Sequence, residues 1–225
     1  MHDAQTTYEL RLACKKPGCP VCAIVQKAGA RYIEGIFSES MLDPGIRLKL
    51  VESLGFCFEH TWQSIDLKLT ETLGHSILFQ DLVRDALKKI TENGHSSGQQ
   101  LASLLEPGKD CPACLIEDST EKRAIQSLSA GLIDQEFVQE YQKSNGLCLP
   151  HLRRLLPELN QKSQQVILEQ QRSKLQNLAN ELADFLRKSD YRFRDEAIGQ
   201  EGDSYKRAAE VVWGKRRPTN KKDLL

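Results

Sequence analysis

Neither sign of charge is in excess: 31 Lys and Arg stand against 31 Asp and Glu in 225 residues. A chain so balanced has no global field to draw in nucleic acid or an acidic membrane surface. Long apolar runs are missing too, and nothing approaches the roughly 20 apolar residues that span a bilayer. Residues 1–22 lack the apolar core of a signal peptide and carry Lys15, Lys16 and Pro17 where it would lie. A soluble, cytoplasmic protein with no membrane role is therefore expected. Sustained strand alternation rich in β-branched residues is also absent. So are paired carboxylates for hydrolysis, a phosphate-binding Gly-Lys loop and a nucleophile elbow. Nothing assembles a nucleophile with its base, so no catalytic residue is assigned and enzyme activity is not indicated.

What the chain does hold is one pattern written twice. Cys19-Pro20-Val21-Cys22 is followed after 34 residues by Cys57-Phe58-Glu59-His60. Cys111-Pro112-Ala113-Cys114 is followed after 33 residues by Cys148-Leu149-Pro150-His151. Each half thus offers three thiols and one imidazole as two clips, in the same order and at nearly the same separation. A tetrahedral ion takes four such donors, and Cys3His is a common zinc set. The expectation is one zinc per half: Cys19, Cys22, Cys57 and His60 on the first, Cys111, Cys114, Cys148 and His151 on the second. With every position filled by protein, such a zinc has no open site for water and is structural.

Iron–sulfur clusters are the rival cofactor, because three Cys and one His can also hold one, although cluster ligands are usually all Cys. A dithiol redox reading of the CxxC clips would want a βαβ setting and leaves the other four ligands unexplained. A c-type haem needs histidine directly after CxxC, where Ala23 and Leu115 stand. Seven cysteines are an odd count in a large chain, which fits metal-bound or reduced thiols better than a secreted disulfide scaffold. Cys14 is the leftover; the repeat offset carries it onto Glu106, so it reads as a free, partly buried thiol. His2, His75 and His95 have no matching clip.

The periodicity is helical throughout. Patterns run over Ala23–Phe37 and Leu115–Leu128, directly after the CxxC clips, so helix N-termini point at the thiols and favour their anionic form. Asp43 and Pro44 make an N-cap and N1 pair, and Gly55 and Gly146 stand where helix C-caps are expected. Leu78, Leu82, Ala86 and Ile90, widened by Phe79, Val83 and Leu87, and later Leu168, Leu175, Leu178, Leu182 and Phe185, give amphipathic stripes read as core. The predicted fold is all-α: two tandem pseudo-symmetric units, 1–105 and 106–188, each with a CxxC…CxxH metal site. A C-terminal helical extension, 189–214, has Asp203 or Ser204 as a helix cap. A basic tail, 215–225, is expected to be disordered. Glu201 and Asp203 would repel an anion, so the dense polar stretch from Asp190 to Arg207 reads as capping and salt bridges.

These residues together resemble an uncharacterised prokaryotic family of unknown function, number 6062. The resemblance rests on the CPVC clip, Asp43-Pro44 with Arg47, and Gly55-Phe56-Cys57-Phe58-Glu59-His60. It continues through the CPAC clip, Gly146-Leu147-Cys148-Leu149-Pro150-His151-Leu152 and Asp190-Tyr191-Arg192. Ser189 and the 199–204 stretch depart from the family's pattern. What it implies is a helical, two-site fold without an assigned reaction. The expected role is a zinc-stabilised binding or adaptor protein with an unknown protein partner. The alternative is a redox protein, either an iron–sulfur carrier or a zinc-thiolate sensor. Nucleic-acid binding through the basic tail is disfavoured by the neutral balance.

Overall fold

The computed structural model describes residues 4–69, 72–193 and 195–218. Among them are eleven α-helices and no strand: α1 (Ala4–Cys14), α2 (Pro20–Gly35), α3 (Pro44–Glu52), α4 (Phe58–Asp66), α5 (Thr72–Glu92), α6 (Gly98–Leu104), α7 (Pro112–Gly131), α8 (Gln135–Lys143), α9 (Leu149–Leu155), α10 (Gln161–Lys188) and α11 (Ser204–Trp213). The chain divides into two compact units, and neither is a continuous half. Unit 1 joins Met1–Val25 to Thr120–Arg216; unit 2 joins Gln26–Ser119 to Arg217–Leu225. The tandem division expected from the repeat, 1–105 and 106–188, differs from this one, because each expected unit contributes to both compact units. The repeat describes the order of motifs along the chain; compactness follows which apolar faces meet.

Unit 1 is built on Leu10, Val21, Leu128, Phe137, Tyr141, Leu147, Leu155 and Ile167, all at most 1 % exposed. Full burial of such side chains contributes about 1.5–3 kcal/mol each. Asp134 caps α8 by accepting from Glu136 N. Arg11 of α1 reaches the same end, 2.9 Å from Asp134 and 3.0 Å from Glu140, with its guanidinium over the Phe137 ring. Two buried amides of α10 hold the end of α8 and the loop before α9: Gln170 Nε2 donates to Tyr141 O, and Gln171 both donates to Leu147 O and accepts from Leu147 N. Gly146 has φ +79°, and a side chain there would run into the Gln171 carboxamide. The extension 189–214 is no appendage, since α11 packs on both α9 and α10.

Unit 2 has its own core of Ile33, Phe37, Met41, Leu50, Phe56, Leu67, Leu69 and Leu78. Asp43 caps α3 as expected, its Oδ1 accepting from Gly45 N at 2.7 Å and Ile46 N at 3.3 Å. Arg47 of α3 forks onto Asp81 of α5 with two bonds of 2.6 Å. Gly55 has φ +76° and donates to Leu50 O, closing α3 just before Cys57. The loop before Cys111 is fixed by Gly108 N donating to Glu52 O and by the Lys109–Glu52 ion pair.

Both long helices form where the periodicity places them, but their stripes are shallower than expected. On α5 only Leu78 is buried, while Val83 and Leu87 are exposed. On α10 Ile167 carries the burial and Leu168 is exposed. Hydrophobicity predicts a stripe wide enough to cover a core along each helix, yet only part of each stripe is buried. The first residues of the tail expected to be disordered, 215–218, are instead held by contacts. Lys215 N donates towards Cys22 Sγ, Arg217 binds Glu117, and Pro218 is buried. The rest of that tail, 219–225, lies outside the described residues, as does His2.

Candidate metal centres

All four clips are made the same way. Each opens on a Cys immediately before the first residue of a helix: Cys19 before α2, Cys57 before α4, Cys111 before α7 and Cys148 before α9. The carbonyl of that Cys accepts the first intrahelical bond, from Ala23, Thr61, Leu115 and Leu152 respectively. The second donor sits three residues on, in the first turn. Helical geometry brings positions three apart onto one face, so the clip spacing i, i+3 aims both donor atoms at a single point off the helix N-terminus. Pro20 and Pro112 in the first helical position need no N–H there.

The structure brings the eight predicted residues into two clusters, but it pairs the clips differently from the expectation. The first centre, in unit 1, is Cys19, Cys22, Cys148 and His151; the second, in unit 2, is Cys57, His60, Cys111 and Cys114. The expected sets, one per half of the sequence, are therefore corrected. The outermost clips join each other and the two inner clips join each other. Each centre still holds three thiols and one imidazole, because either scheme adds one CxxC to one CxxH. Spacing within a clip is local and legible. Which clips meet depends on the path of the intervening helices, and a 16-residue helix such as α2 already extends about 24 Å.

Within each cluster the donor atoms lie within 4.8 Å of one another. In the first centre Cys22 Sγ is 3.7 Å from Cys148 Sγ, and His151 Nδ1 is 3.4, 3.4 and 3.0 Å from Cys19, Cys22 and Cys148. In the second, Cys57 Sγ is 3.6 Å from Cys114 Sγ, and His60 Nδ1 is 3.3, 3.6 and 3.4 Å from Cys57, Cys111 and Cys114. A tetrahedral zinc with bonds of about 2.3 Å to sulfur and 2.0–2.1 Å to nitrogen has edges of about 3.8 Å and 3.6 Å. The donors fit that figure to within a few tenths of an ångström for most edges. A disulfide needs about 2.05 Å, and all seven cysteines are free. These two clusters could each hold a metal ion.

The far nitrogen of each imidazole meets a buried carboxylate that sequence reasoning missed. His60 Nε2 lies 3.1 Å from Glu117 Oε1, and His151 Nε2 lies 3.0 Å from Glu121 Oε1. The His60 contact is an ion-pair approach rather than a well-aligned hydrogen bond. A carboxylate behind a ligating histidine fixes which nitrogen carries the proton and raises the basicity of the other. Glu117 is in turn gripped by both arms of Arg217, each at 2.5 Å, and Glu121 by Arg154 of α9. Both acids follow Cys114 on α7, at i+3 and i+7. That places them on the inward face of a helix, beside the fully buried Ala113 and Ala124. An acid on an apolar face was the signal available in the sequence.

Electrostatics within the side chains divides the thiols of each centre. Bonds from Cys19 and Cys22 pull the Cys148 thiol well below its usual range, while its partner thiols are pushed up, Cys19 to about 12 by burial. In the second centre Cys111 falls to about 6: burial opposes its ionisation, but His60 and the backbone N–H groups of Cys57 and Cys114 outweigh it. Burial likewise works against a charged His60 and His151, yet the thiols and, at His60, Glu117 lift both to about 10. Each centre thus holds one thiol that ionises readily, Cys148 in the first and Cys111 in the second.

Residues outside the clusters behave differently. Cys14 is 4 % exposed in the core of unit 1, with its thiol pushed up to about 11 by burial and Glu140, and it joins neither centre. His75 sits between Phe37 and Phe79 and pairs with Ser64 Oγ. The polar stretch after α10 is tied up internally: Arg192 on Asp190, Arg187 on Glu196, Lys188 on Glu201. Among the described residues no helix is long and apolar enough to cross a membrane.

No curated protein and no solved structure matches this chain. A sequence model of the family of unknown function DUF6062 matches residues 9–106 and 132–219, so the chain belongs to that family.

Proposed function

We propose that this is a cytosolic binding or adaptor protein whose two Cys3His centres each carry a structural zinc ion. The observation that carries the reading is the closed donor set. Four protein ligands converge with near-tetrahedral edges, and a carboxylate backs each imidazole. Such a site leaves no position for water or substrate, so the ion serves folding rather than chemistry. Donor atoms all within 4.8 Å favour one ion over an iron–sulfur cluster, whose iron and sulfide atoms would hold the cysteine sulfurs farther apart. Large apolar side chains left in solvent support a protein partner: Phe58 and Trp62 on α4 in unit 2, and Trp213, 83 % exposed, in unit 1.

The test is elemental analysis with an absorption spectrum on protein purified without oxygen. About two zinc per chain without a visible band is the expected result. Iron with acid-labile sulfide and a brown colour reverses the assignment and makes the same eight residues cluster ligands.

A further inference from the structure

The two carboxylates behind the histidines are themselves anchored in unlike ways. Glu121 takes its arginine from α9, where Arg154 follows His151 by three residues, so any fold that seats the ligand also seats the anchor. Glu117 takes its arginine from Arg217, exactly one hundred residues further along the chain and beyond the end of α11. The Arg217 pair is bidentate, both N–H groups meeting both carboxylate oxygens at 2.5 Å, and the Glu117 side chain is only 9 % exposed. Room for that carboxylate is reserved on the helix opposite: a side chain at Gly29 of α2 would collide with Glu117 Oε1 and lie 3.0 Å from its Cγ and Cδ. A reserved space, a fork and a histidine at 3.1 Å together make a built arrangement, not a chance surface pair.

From this we infer that Arg217 is the positioning residue of the second centre: it locks Glu117, and through Glu117 the orientation of His60, so the C-terminal segment governs how tightly Cys57, His60, Cys111 and Cys114 hold their ion. The inference rests on the reading that the centres bind metal. The guanidinium touches no donor atom; it acts by denying Glu117 other rotamers. Glu117, so fixed, keeps its charge facing Nε2 at 3.1 Å, which favours the proton on that nitrogen and leaves Nδ1 for the ion. The first centre, with Arg154 built into its own ligand helix, is independent of residue 217.

The experiment follows zinc release from the full-length, zinc-loaded protein to a chromogenic chelator, in wild type, Arg217→Ala, Arg217→Lys, Glu117→Gln and Arg154→Ala. Cys57→Ser, which removes the second centre, identifies that centre's release phase. In Arg217→Ala that phase is expected to accelerate by about 10–100-fold, the range for loss of an outer-shell partner, with the other phase unchanged. Arg217→Lys, which keeps the charge but not the fork, should fall between. The Arg217→Ala and Glu117→Gln effects should not add, because both break one chain of contacts. Arg154→Ala should accelerate only the other phase. Unchanged release in Arg217→Ala, or equal acceleration of both phases, overturns the inference. A wild-type chain that binds no zinc overturns the underlying metal reading instead.

Discussion

The two centres share a donor set and a construction, yet they differ in how deeply they sit. In the first, all three thiols are at most 6 % exposed and His151 is 9 % exposed. In the second, His60 is fully buried while Cys57, Cys111 and Cys114 are all partly exposed. The first also has backbone support beyond its clips: Lys215 N donates towards Cys22 Sγ, and Gly146 lets the loop before Cys148 close on Gln171. The difference teaches that the ligand set alone does not define a site. The same Cys3His quartet in two surroundings gives one core-like site and one whose cysteine residues are only partly buried, and thiol reactivity follows access as well as charge.

The largest effect should come from breaking the pairing itself. Cys22→Ser and Cys148→Ser should each lose the same equivalent of metal, and the double variant no more than either. Cys22→Ser with Cys57→Ser should lose both equivalents, whereas pairing by sequence halves would cost only one. A structural zinc is worth about 10–16 kcal/mol of folding in small zinc domains, so each loss should also appear as a collapse of thermal stability in its unit. Metal stoichiometry and melting together decide between the two schemes.

Exposure sharpens the comparison next. Brief treatment of the zinc-loaded protein with an alkylating agent should mark Cys57, Cys111 and Cys114 at least about tenfold faster than Cys19, Cys22 and Cys148, as partly exposed thiolates react before buried ones. Peptide mass spectrometry reads the order. Equal labelling would mean that the bound ion, not burial, sets reactivity.

Protons give a third handle. Against burial, their thiol neighbours raise His60 and His151 to about 10, and the Cys22 and Cys114 thiols are also raised. Since zinc needs neutral imidazole and thiolate, loading at pH 7 must expel protons from both centres, and affinity must fall as pH falls. Cys111, lowered to about 6, is already largely ionised there and contributes little to the release. Calorimetric titration in buffers of different ionisation enthalpy measures the number expelled.

The smallest effect lies at Gly29. Alanine is favoured over glycine inside a helix by about 1 kcal/mol, so Gly29→Ala should stabilise α2. Here the new methyl group displaces Glu117 instead. The variant should therefore release metal faster from the second centre alone, with overall melting shifted by only a few degrees.

Much of this protein is legible in its sequence because the signals are local. The helices after the two CxxC clips, expected from Ala23 and Leu115 and formed from Pro20 and Pro112, and the Asp43–Pro44 start of α3 depend on neighbours within one turn. The same is true of the eight donors, since i, i+3 at a helix N-terminus is a property of one segment. Gly55 and Gly146, expected as C-caps, take positive φ two residues beyond the observed caps Ser53 and Ser144. The stripes of α5 and α10 were read too deep because periodicity reports which face is apolar but not how far the partner extends. Glu117 and Glu121 were passed over because an acid on a helix is ordinary until its neighbours are known to be buried.

The sequence by itself determined the helical class, the position of every candidate ligand and the three-to-one ratio of sulfur to nitrogen in each set. Tertiary structure alone decided which clips meet, which carboxylate stands behind each histidine, and that Arg217 reaches Glu117. The physical reason is range. Backbone geometry fixes what lies within a turn, whereas the meeting of Cys22 with Cys148, or of Cys57 with Cys114, is set by where whole helices find complementary apolar faces.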